Sequence, residues 1–285
     1  MKTEPFGPLD PALYREIVRR ALAEDLGWGD VTTESTVTGD ARARARIVAG
    51  GDCVVAGLDV AEEAFRQLDP AVVVMRNVDD GQACAVGATL CTLDGRAAPL
   101  LTAERTALNF LQRLSGIATM TRRFVEASRG QIVVLDTRRT TPTLRALERF
   151  AVRAGGGTNH RVTLDDGLLV TRSHAALAGG IRHAVGRVRA VGLRLPLEVE
   201  VASLEEAEEA LDAGVTRLFI DEGCGSAAAE IVRRAKGRAR VAVYGRVTLD
   251  RMAELVATGA DFVSVGALTD SAPAVDLRFE IEWVP

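Results

Sequence analysis

The sequence of 285 residues lacks the features that mark membrane proteins, secreted proteins and nucleic-acid-binding proteins. It contains no apolar run near the roughly 18 residues that a membrane-spanning helix needs. Its first residues, MKTEPFGPLD, contain no apolar stretch of the kind found in signal peptides. Its formal net charge of -4 provides no general attraction to nucleic acid or to an anionic membrane. We therefore expect a cytoplasmic protein that binds neither of them.

Cysteine is also scarce, and the few cysteines do not form a metal-binding pattern. Cys53, Cys84, Cys91 and Cys224 show none of the paired spacings of metal ligands, and we expect reduced, buried thiols. Hydrophobic residues make up 47% of the chain and charged residues 26%, as in ordinary globular proteins. We predict a folded chain with one large domain or two modest ones.

The N-terminal part of the chain mixes strand and helix patterns. The segment ARARARIVAG alternates small and charged residues, which predicts a half-exposed strand. We interpret its arginines as a solvated basic edge rather than as a binding surface. The segments CVVAG, DVAEEAFRQL, AVVVMRNV and ATLCTLDG follow as strand, helix, strand and strand. Together they indicate an α/β domain.

From about Thr102 the pattern changes to a long helix followed by alternating strands and helices. The strand-like segments are QIVVLD, LLV, LPLEVEV, RLFID, VAVY and FVSVG. The last four recur roughly every twenty residues with helical segments between them, which predicts parallel strands joined by right-handed crossovers. This pattern favours an α/β barrel, of which the sequence supports six strands.

Arginines, carboxylates and glycine turns stand where the predicted strands end, and the chemistry of such barrels collects at these carboxyl ends. The segments concerned are Asp136-Thr137-Arg138-Arg139, Glu198 with Glu200, Asp221-Glu222, Tyr244-Gly245-Arg246 and Gly266-Ala267. Guanidinium groups bind carboxylates and phosphates, carboxylates hold Mg²⁺ together with substrate phosphates, and glycine turns present N–H groups to phosphate. The set predicts a site for a carboxylated molecule and a phosphorylated, magnesium-bound one.

A cluster of arginines surrounds the first of these strand ends. Its members are Arg138, Arg139, Arg145, Arg149, Arg153 and Arg161. Because the net charge of the chain is negative, this cluster is a local feature that favours a small anionic ligand over a polyanion. His160, in GGGTNHR, could either donate to an acid or fill a hydrogen-bonded structural role.

Six segments resemble the motifs of one family, in the same order. They are EDLGWGDVTT, AERTALNFLQRLSGIATMT, DTRRTTP, LRALERFAVRAGGGTNHR, EVEV and SVGALT. The chain resembles, over nearly its whole length, the quinolinate phosphoribosyltransferases, which are the carboxylating nicotinate-nucleotide pyrophosphorylases of NAD biosynthesis. The resemblance implies an N-terminal α/β sandwich domain (1–114), an open seven-stranded α/β barrel (115–273) and a C-terminal segment (274–285) that returns to the N-terminal domain. It also implies a homodimer or larger homo-oligomer in which one subunit covers the barrel of its partner.

The resemblance also implies roles for individual residues. Arg105 would reach the quinolinate of the neighbouring subunit, whose carboxylates would be held by Thr137, Arg138, His160 and Arg161. Glu200 and Asp221 would be the catalytic pair that serves Mg²⁺ and the ribose of phosphoribosyl pyrophosphate, with Arg139 near its phosphates. The other implied substrate contacts are Thr171, Tyr244, Gly245, Arg246, Gly266 and Leu268. The implied reaction yields nicotinate mononucleotide, CO₂ and pyrophosphate.

The chain departs from the family pattern at several of these positions. Thr171-Arg172-Ser173-His174 stands where the family has Lys-Asp-Asn-His, Ile220-Asp221-Glu222 where it has Leu-Asp-Asn, and AVYGRV (242–247) where it has Glu-Ala-Ser-Gly-Gly-Ile. Arg139, Thr143 and Asp270 replace a lysine, a glycine and a histidine. We interpret Thr171 as the loss of a substrate-binding lysine that Arg172 does not replace, because consecutive strand residues point to opposite faces. We expect Tyr244 and Arg246 to narrow the pocket for the 5'-phosphate.

These departures leave two alternatives to the implied reaction. The first is a divergent paralogue that acts on another carboxylated heteroaromatic acid. The second is a non-catalytic family member that binds a small acid or regulates a true family enzyme.

Overall fold

The computed structural model describes residues 7–284, except for the side chain of Ser226. Contacts between residues divide the chain into two compact units. The first unit comprises Met1–Arg122, Thr141–Gly156 and Ala272–Pro285, and the second comprises Arg123–Thr140 and Gly157–Ser271. Across the described residues, no helix is both long and apolar enough to cross a membrane.

Helices and strands alternate along most of the described chain. The helices are α1 (Arg15–Leu26), α2 (Val31–Thr36), α3 (Leu58–Leu68), α4 (Ala97–Ala127), α5 (Arg145–Ala154), α6 (Arg172–Ala178), α7 (Ile181–Ala190), α8 (Leu204–Asp212), α9 (Ser226–Ala235), α10 (Met252–Ala257) and α11 (Ala267–Asp270). The strands are β1 (Arg42–Ala49), β2 (Cys53–Val54), β3 (Val73–Arg76), β4 (Ala83–Cys84), β5 (Thr89–Arg96), β6 (Val133–Leu135), β7 (Leu168–Val170), β8 (Leu197–Val201), β9 (Arg217–Asp221), β10 (Arg240–Tyr244), β11 (Phe262–Ser264) and β12 (Leu277–Val284). Short 3-10 helices cover Pro11–Leu13, Glu222–Cys224 and Leu249–Arg251.

The first unit contains a four-stranded antiparallel sheet in the order β12-β1-β5-β3. Strand β1 shows the predicted alternation, with Arg42, Arg44 and Arg46 exposed and the alanines between them buried. The prediction of a basic edge is wrong, because β1 pairs with β12 on one side and β5 on the other. Acidic residues of these neighbours balance the arginines: Arg44 Nε lies 3.0 Å from Asp94 Oδ1, and Arg46 Nη2 lies 3.0 Å from Glu280 Oε2.

A buried ion pair links the three chain segments that make up the first unit. The side chain of Glu148 is fully buried, and its Oε1 lies 2.9 Å from Nη2 of Arg113. The same carboxylate accepts hydrogen bonds from the backbone N–H and the hydroxyl of Thr141, at 3.0 and 2.7 Å. Arg113 also donates to the carbonyl of Ala272 at 2.9 Å. Since a buried charge needs a partner and hydrogen bonds, this network favours one arrangement of the segments.

The second unit contains a parallel sheet in the order β6-β11-β10-β9-β8-β7. This sheet confirms the parallel strands predicted from the spacing of the sequence. At the free edge of β6, Thr158 forms a one-residue parallel bridge with Leu135. The bridge takes the place of the seventh strand that the resemblance implies, reduced to a single residue.

Side chains from the two ends of this sheet meet, which shows that the sheet curls into an open barrel. His160 follows the Thr158 bridge at one end, and its Nε2 lies 2.6 Å from Oε2 of Glu198 on β8 near the other end. Arg161 Nη1 likewise donates to the carbonyl of Gly167, just before β7, at 2.8 Å. The fold class, an antiparallel N-terminal sheet followed by an α/β barrel, is confirmed.

Candidate active site

Most sequence-predicted site residues lie at the carboxyl ends of the parallel strands of the second unit, and we call this edge the rim. Along the chain they are Thr137, Arg138 and Arg139 after β6, His160 and Arg161 after the Thr158 bridge, Thr171 after β7, Glu200 in β8, Asp221 ending β9, Tyr244, Gly245 and Arg246 at the end of β10, and Gly266 and Leu268 after β11. Because the strands are parallel, these residues share one edge of the sheet. Leu268 is fully buried and belongs to the core below the rim.

The remaining arginines singled out in the sequence belong to the first unit. Arg105 lies on α4 with an exposed guanidinium, 3.8 Å from the Glu104 carboxylate. Arg145, Arg149 and Arg153 lie on α5. The arginines around residue 140 are therefore divided between the two units, and only Arg138, Arg139 and Arg161 accompany the rim.

Two buried carboxylates fix the position of His160. Asp136 is fully buried, and its carboxylate accepts hydrogen bonds from the backbone N–H of His160 and from the side-chain amide of Asn159, both at 2.6 Å. Glu198 bonds the imidazole Nε2 of His160 and lies 3.2 Å from Nη1 of Arg217. Both rotation and displacement of the imidazole are thereby restricted.

Glu198 carries a negative charge inside the barrel. Burial raises the pKa of Glu198, but the hydrogen bond from His160 and the charge of Arg217 outweigh burial and hold this pKa below its ordinary value of 4.5. The carboxylate is thus ionised at neutral pH, so the imidazole Nε2 must donate the proton in their hydrogen bond. Sequence reasoning placed Glu198 at a strand end but assigned it no role, and Asp136 was likewise missed.

A second group of rim residues combines two carboxylates with a phenol. The register pairs Glu200 with Phe219 and Asp221 with Tyr244, so these side chains point to the same face of the sheet. Burial, followed by the charges of Glu200 and Asp221, raises the pKa of Tyr244 to about 12. The Tyr244 ring packs at 5.8 Å from the Phe219 ring, which lies 5.3 Å from the His160 ring. Phe219 therefore packs against both the Tyr244 ring and the His160 ring.

Strand β7 ends at Val170, and this changes the interpretation of Thr171 and Arg172. Thr171 is the N-cap of α6: its hydroxyl accepts from the backbone N–H of His174 at 3.3 Å, and it bonds Nδ1 of the same residue at 2.7 Å. Arg172 is the first helical residue, and its backbone N–H donates to Glu200 Oε2 at 3.1 Å. Arg172 does not follow the alternation of a strand, contrary to the prediction for it, because β7 ends before it and α6 begins at it. Its positive charge acts on Tyr244, whose pKa it lowers.

The turn after β10 is filled by a side chain from the 3-10 helix that follows the neighbouring strand, β9. Glu222 Oε1 accepts the backbone N–H of Arg246 at 2.8 Å, and Oε2 pairs with the guanidinium of Arg251. Gly245 has a φ of +133°, and a Cβ on it would lie 2.5 Å from Cγ of Glu222. Glycine is therefore required here both by the backbone conformation and by the packing of Glu222.

Gly266, after β11, lies close to the side chain of Arg139. A Cβ on Gly266 would lie 3.1 Å from Cδ of Arg139 and 3.2 Å from Oδ2 of Asp270. The backbone carbonyl of Arg139 accepts the Thr269 hydroxyl at 2.7 Å. This places the exposed side chain of Arg139 beside the turn after β11, close to the aspartate that stands where the family has a histidine.

Comparison with known proteins assigns the chain to a family. Residues 117–280 match the C-terminal domain of quinolinate phosphoribosyl transferase, and residues 30–115 match the N-terminal domain. The chain belongs to the quinolinate phosphoribosyl transferase family. The probable nicotinate-nucleotide pyrophosphorylase (carboxylating) of Bacillus subtilis is 36% identical, over 94% of this chain and 93% of its own. The nicotinate-nucleotide pyrophosphorylase (carboxylating) of Mycobacterium leprae is 39% identical, over 94% of this chain and 96% of its own.

Solved structures agree with this family assignment. The crystal structure of NadC from Streptococcus pyogenes has a TM-score of 0.94 and 34% identity, and the match covers 98% of this chain and 100% of that chain. The nicotinate-nucleotide pyrophosphorylase from Francisella tularensis has a TM-score of 0.94 and 33% identity, with coverages of 99% and 100%. The two-unit architecture of this quinolinate phosphoribosyl transferase family member is therefore that of its relatives.

The donor set of Glu200 and Asp221 fits a magnesium ion that arrives with a substrate. Each carboxylate uses one oxygen for a backbone N–H, from Arg172 at 3.1 Å and from Gly223 at 2.7 Å, which leaves a second oxygen for a metal. In the described part of the chain, no group of three or more His, Cys, Asp or Glu side chains forms a metal site. Mg²⁺ commonly binds through one or two carboxylates together with substrate phosphates and water, as this pair would allow.

Proposed function

We propose that this protein transfers the phosphoribosyl group of phosphoribosyl pyrophosphate to quinolinate. The products are nicotinate mononucleotide, CO₂ and pyrophosphate, in a pentosyltransferase reaction of NAD biosynthesis. The main support is the identity of 36% and 39%, over nearly the whole chain, to proteins named carboxylating nicotinate-nucleotide pyrophosphorylases. The rim adds support, because it combines cations suited to a dicarboxylic acid with carboxylates suited to Mg²⁺.

The acid is bound, in this proposal, by Arg138, His160 and Arg161, with Thr137 beside them. Guanidinium groups hold carboxylates through paired, charge-assisted hydrogen bonds. His160 contributes a fixed position rather than a mobile donor, because Asp136 holds its backbone and Glu198 holds its ring. Rigid placement matters because the pyridine nitrogen has to face the ribose for the two substrates to react.

The phosphoribosyl donor is bound on the other side of the rim. Glu200 and Asp221 would hold Mg²⁺ with the pyrophosphate and the ribose, and Arg139 would lie near the phosphates. Magnesium, when bound, supplies positive charge that neutralises the departing pyrophosphate. The bond from C1 of the ribose to pyrophosphate breaks, and the lone pair of the pyridine nitrogen forms the new bond to C1. The positively charged ring then stabilises the electron pair left at C2 when the C2 carboxylate leaves as CO₂, and C2 takes up a proton from water, so no protein nucleophile is needed.

Arg172 offers a replacement for the lysine that is missing at Thr171. Its charge acts on Tyr244, and its backbone is tied to Glu200, so it belongs to the carboxylate side of the rim. For the assembly we propose a homodimer or larger homo-oligomer, in which Arg105 of one subunit reaches the acid bound by another. Location in the cytoplasm remains a prediction from the sequence.

A second candidate function is transfer to a different carboxylated heteroaromatic acid. The observation that favours it is Tyr244, whose ring packs at a tilt against Phe219, the neighbour of the His160 ring, and so reduces the space on this face of the sheet. Arg138 and Arg161 would then bind the carboxylates of an acid whose ring differs in shape from that of quinolinate. Replacement of quinolinate by related pyridine and pyrimidine carboxylic acids, at equal concentration, separates the two candidates by which acid is consumed.

The proposed function is tested by incubating the protein with quinolinate, Mg²⁺ and phosphoribosyl pyrophosphate and measuring the products by mass-resolved chromatography. We expect nicotinate mononucleotide from the parent and none from Arg138→Ala, because the acid loses its paired hydrogen bonds. Arg187→Ala, which removes an exposed arginine of α7, is the matched control and should retain activity. Equal product from the parent and Arg138→Ala would refute the assignment of the acid site.

A further inference from the structure

The turn after β10 combines the donors of an anion-binding site. Arg246 comes directly after Gly245. Its backbone N–H and the guanidinium of Arg251 point to the same place, since both contact the carboxylate of Glu222. A backbone N–H at a glycine turn and a guanidinium are the groups that bind phosphate in many proteins. In α/β barrels such turns stand at the carboxyl ends of strands, where phosphate groups of substrates bind.

The occupant of this place is the chain's own Glu222. Residues that follow β9 and β10 lie side by side, because the register pairs Asp221 with Tyr244. Glu222 uses one carboxylate oxygen for the Arg246 N–H and the other for Arg251, and only 14% of its side chain is exposed. Its Cγ lies only 2.5 Å from the position that a Cβ of residue 245 would take. The carboxylate therefore satisfies the donors that a phosphate would need.

A phosphate cannot share this turn with Glu222. Both groups are anions that require the same N–H and the same guanidinium, and two anions within about 4 Å of each other at a partly buried site repel each other. Binding of a phosphate would require the Glu222 side chain to leave its position. Because moving Glu222 out of the turn costs free energy, the phosphate binds with a lower affinity than it would in an empty turn.

We infer that Glu222 is an internal anion that occupies the phosphate-binding turn after β10 and must be displaced before a sugar phosphate binds there. The identity of the sugar phosphate, phosphoribosyl pyrophosphate, rests on the proposed function. Glu222 is then a specificity-determining residue. It lowers the affinity of the rim for the phosphorylated substrate, and it leaves the affinity of the acid site unchanged. Where the family has asparagine, this chain has a residue that competes with the substrate.

The test measures binding of ribose 5-phosphate by calorimetry, because this probe carries one phosphate and needs no turnover. Glu222→Gln and Glu222→Asn remove the negative charge, and each should bind the probe about tenfold more tightly than the parent. Glu254→Gln is the matched control: Glu254 is the other carboxylate on Arg251, at 3.2 Å, but 65% of its side chain is exposed, and the affinity should stay unchanged. Arg251→Gln should weaken binding about tenfold, since it removes the cation that the phosphate would meet.

Quinolinate titrations of the same proteins show whether each variant is folded, and their affinities should equal that of the parent. Unchanged or weaker binding of ribose 5-phosphate by both Glu222 variants, with quinolinate affinity intact, would overturn the inference. Product formation is measured in parallel. If no protein makes nicotinate mononucleotide while the Glu222 variants still bind the probe more tightly, the proposed function fails and the assignment of Glu222 stands.

Discussion

Replacing Glu198 by glutamine should destabilise the protein and loosen the acid site at the same time. The side chain is only 9% exposed, and its carboxylate serves His160 at 2.6 Å and Arg217 at 3.2 Å. Hydrogen bonds to charged groups contribute about 1.5–3 kcal/mol each. Glutamine keeps one acceptor oxygen but turns an N–H₂ group toward one of the two donors. We expect the free energy of unfolding to fall by about 3 kcal/mol at neutral pH, part of it because a nearby positive charge loses its partner.

The pH dependence of this loss follows from the pKa of Glu198. Its folded-state pKa lies below the ordinary 4.5, so its contribution is present above pH 4.5 and is lost as the pH falls through the folded-state pKa. Urea unfolding at about pH 7 and about pH 3.5 should therefore show a smaller difference between parent and Glu198→Gln at the lower pH. Glu126→Gln, an exposed position on α4, is the control and should match the parent at both.

A binding measurement adds a readout that a purely structural role would not affect selectively. Because Glu198 orients the ring of His160, Glu198→Gln should weaken quinolinate binding about tenfold and leave ribose 5-phosphate binding unchanged. Equal stability losses at both pH values, or equal weakening of both ligands, would refute the role of Glu198 in holding His160.

The first unit provides three further predictions, each checked by urea unfolding. Thr143 has a φ of +71°, a conformation that β-branched residues disfavour, so Thr143→Gly should raise the free energy of unfolding by about 1 kcal/mol; a decrease would contradict this. Glu148→Ala should cost about 4 kcal/mol because it leaves the Arg113 cation without its buried anion, and a loss below about 1 kcal/mol would contradict it. Burial raises the pKa of Asp80 to about 6, so its contribution to stability is present at low pH and lost as the pH rises through that value. Relative to the parent, Asp80→Asn should therefore gain about 2 kcal/mol between pH 4 and pH 7, and identical pH profiles would contradict this.

The sequence predicts those parts of the fold that depend on local periodicity. The alternation in β1 and the repeated strands β8 to β11 follow directly from the order of apolar and polar residues. The neighbours of β1 could not be predicted in this way, because β12 lies more than 200 residues away and no periodic signal relates the two strands. Periodicity does not predict the seventh barrel position either, which only the family resemblance implies, since Thr158 contributes one bridged residue and a single residue has no period.

The sequence likewise predicts some features of the candidate site and not others. Their type and their place at strand ends identified the rim, but their partners depend on how the sheet curls. The Glu198–His160 contact joins residues that are 38 positions apart, one on β8 and the other after the Thr158 bridge, so only the curl of the open barrel brings them together. The α6 cap did have a signal that sequence reasoning missed: threonine followed three residues later by a side chain able to bond back to it, just before a run of alanines.

Decarboxylating transfer to quinolinate is tested most directly by following the C2 carboxyl group of quinolinate. The protein is given quinolinate labelled with ¹³C at the C2 carboxyl, together with Mg²⁺ and phosphoribosyl pyrophosphate, and labelled CO₂ and nicotinate mononucleotide are quantified together. We expect equal amounts of labelled CO₂ and unlabelled mononucleotide, both lost in Arg138→Ala. The absence of labelled CO₂ from the parent, or a product that keeps the label, would contradict the proposal that this rim carries out decarboxylating phosphoribosyl transfer to quinolinate.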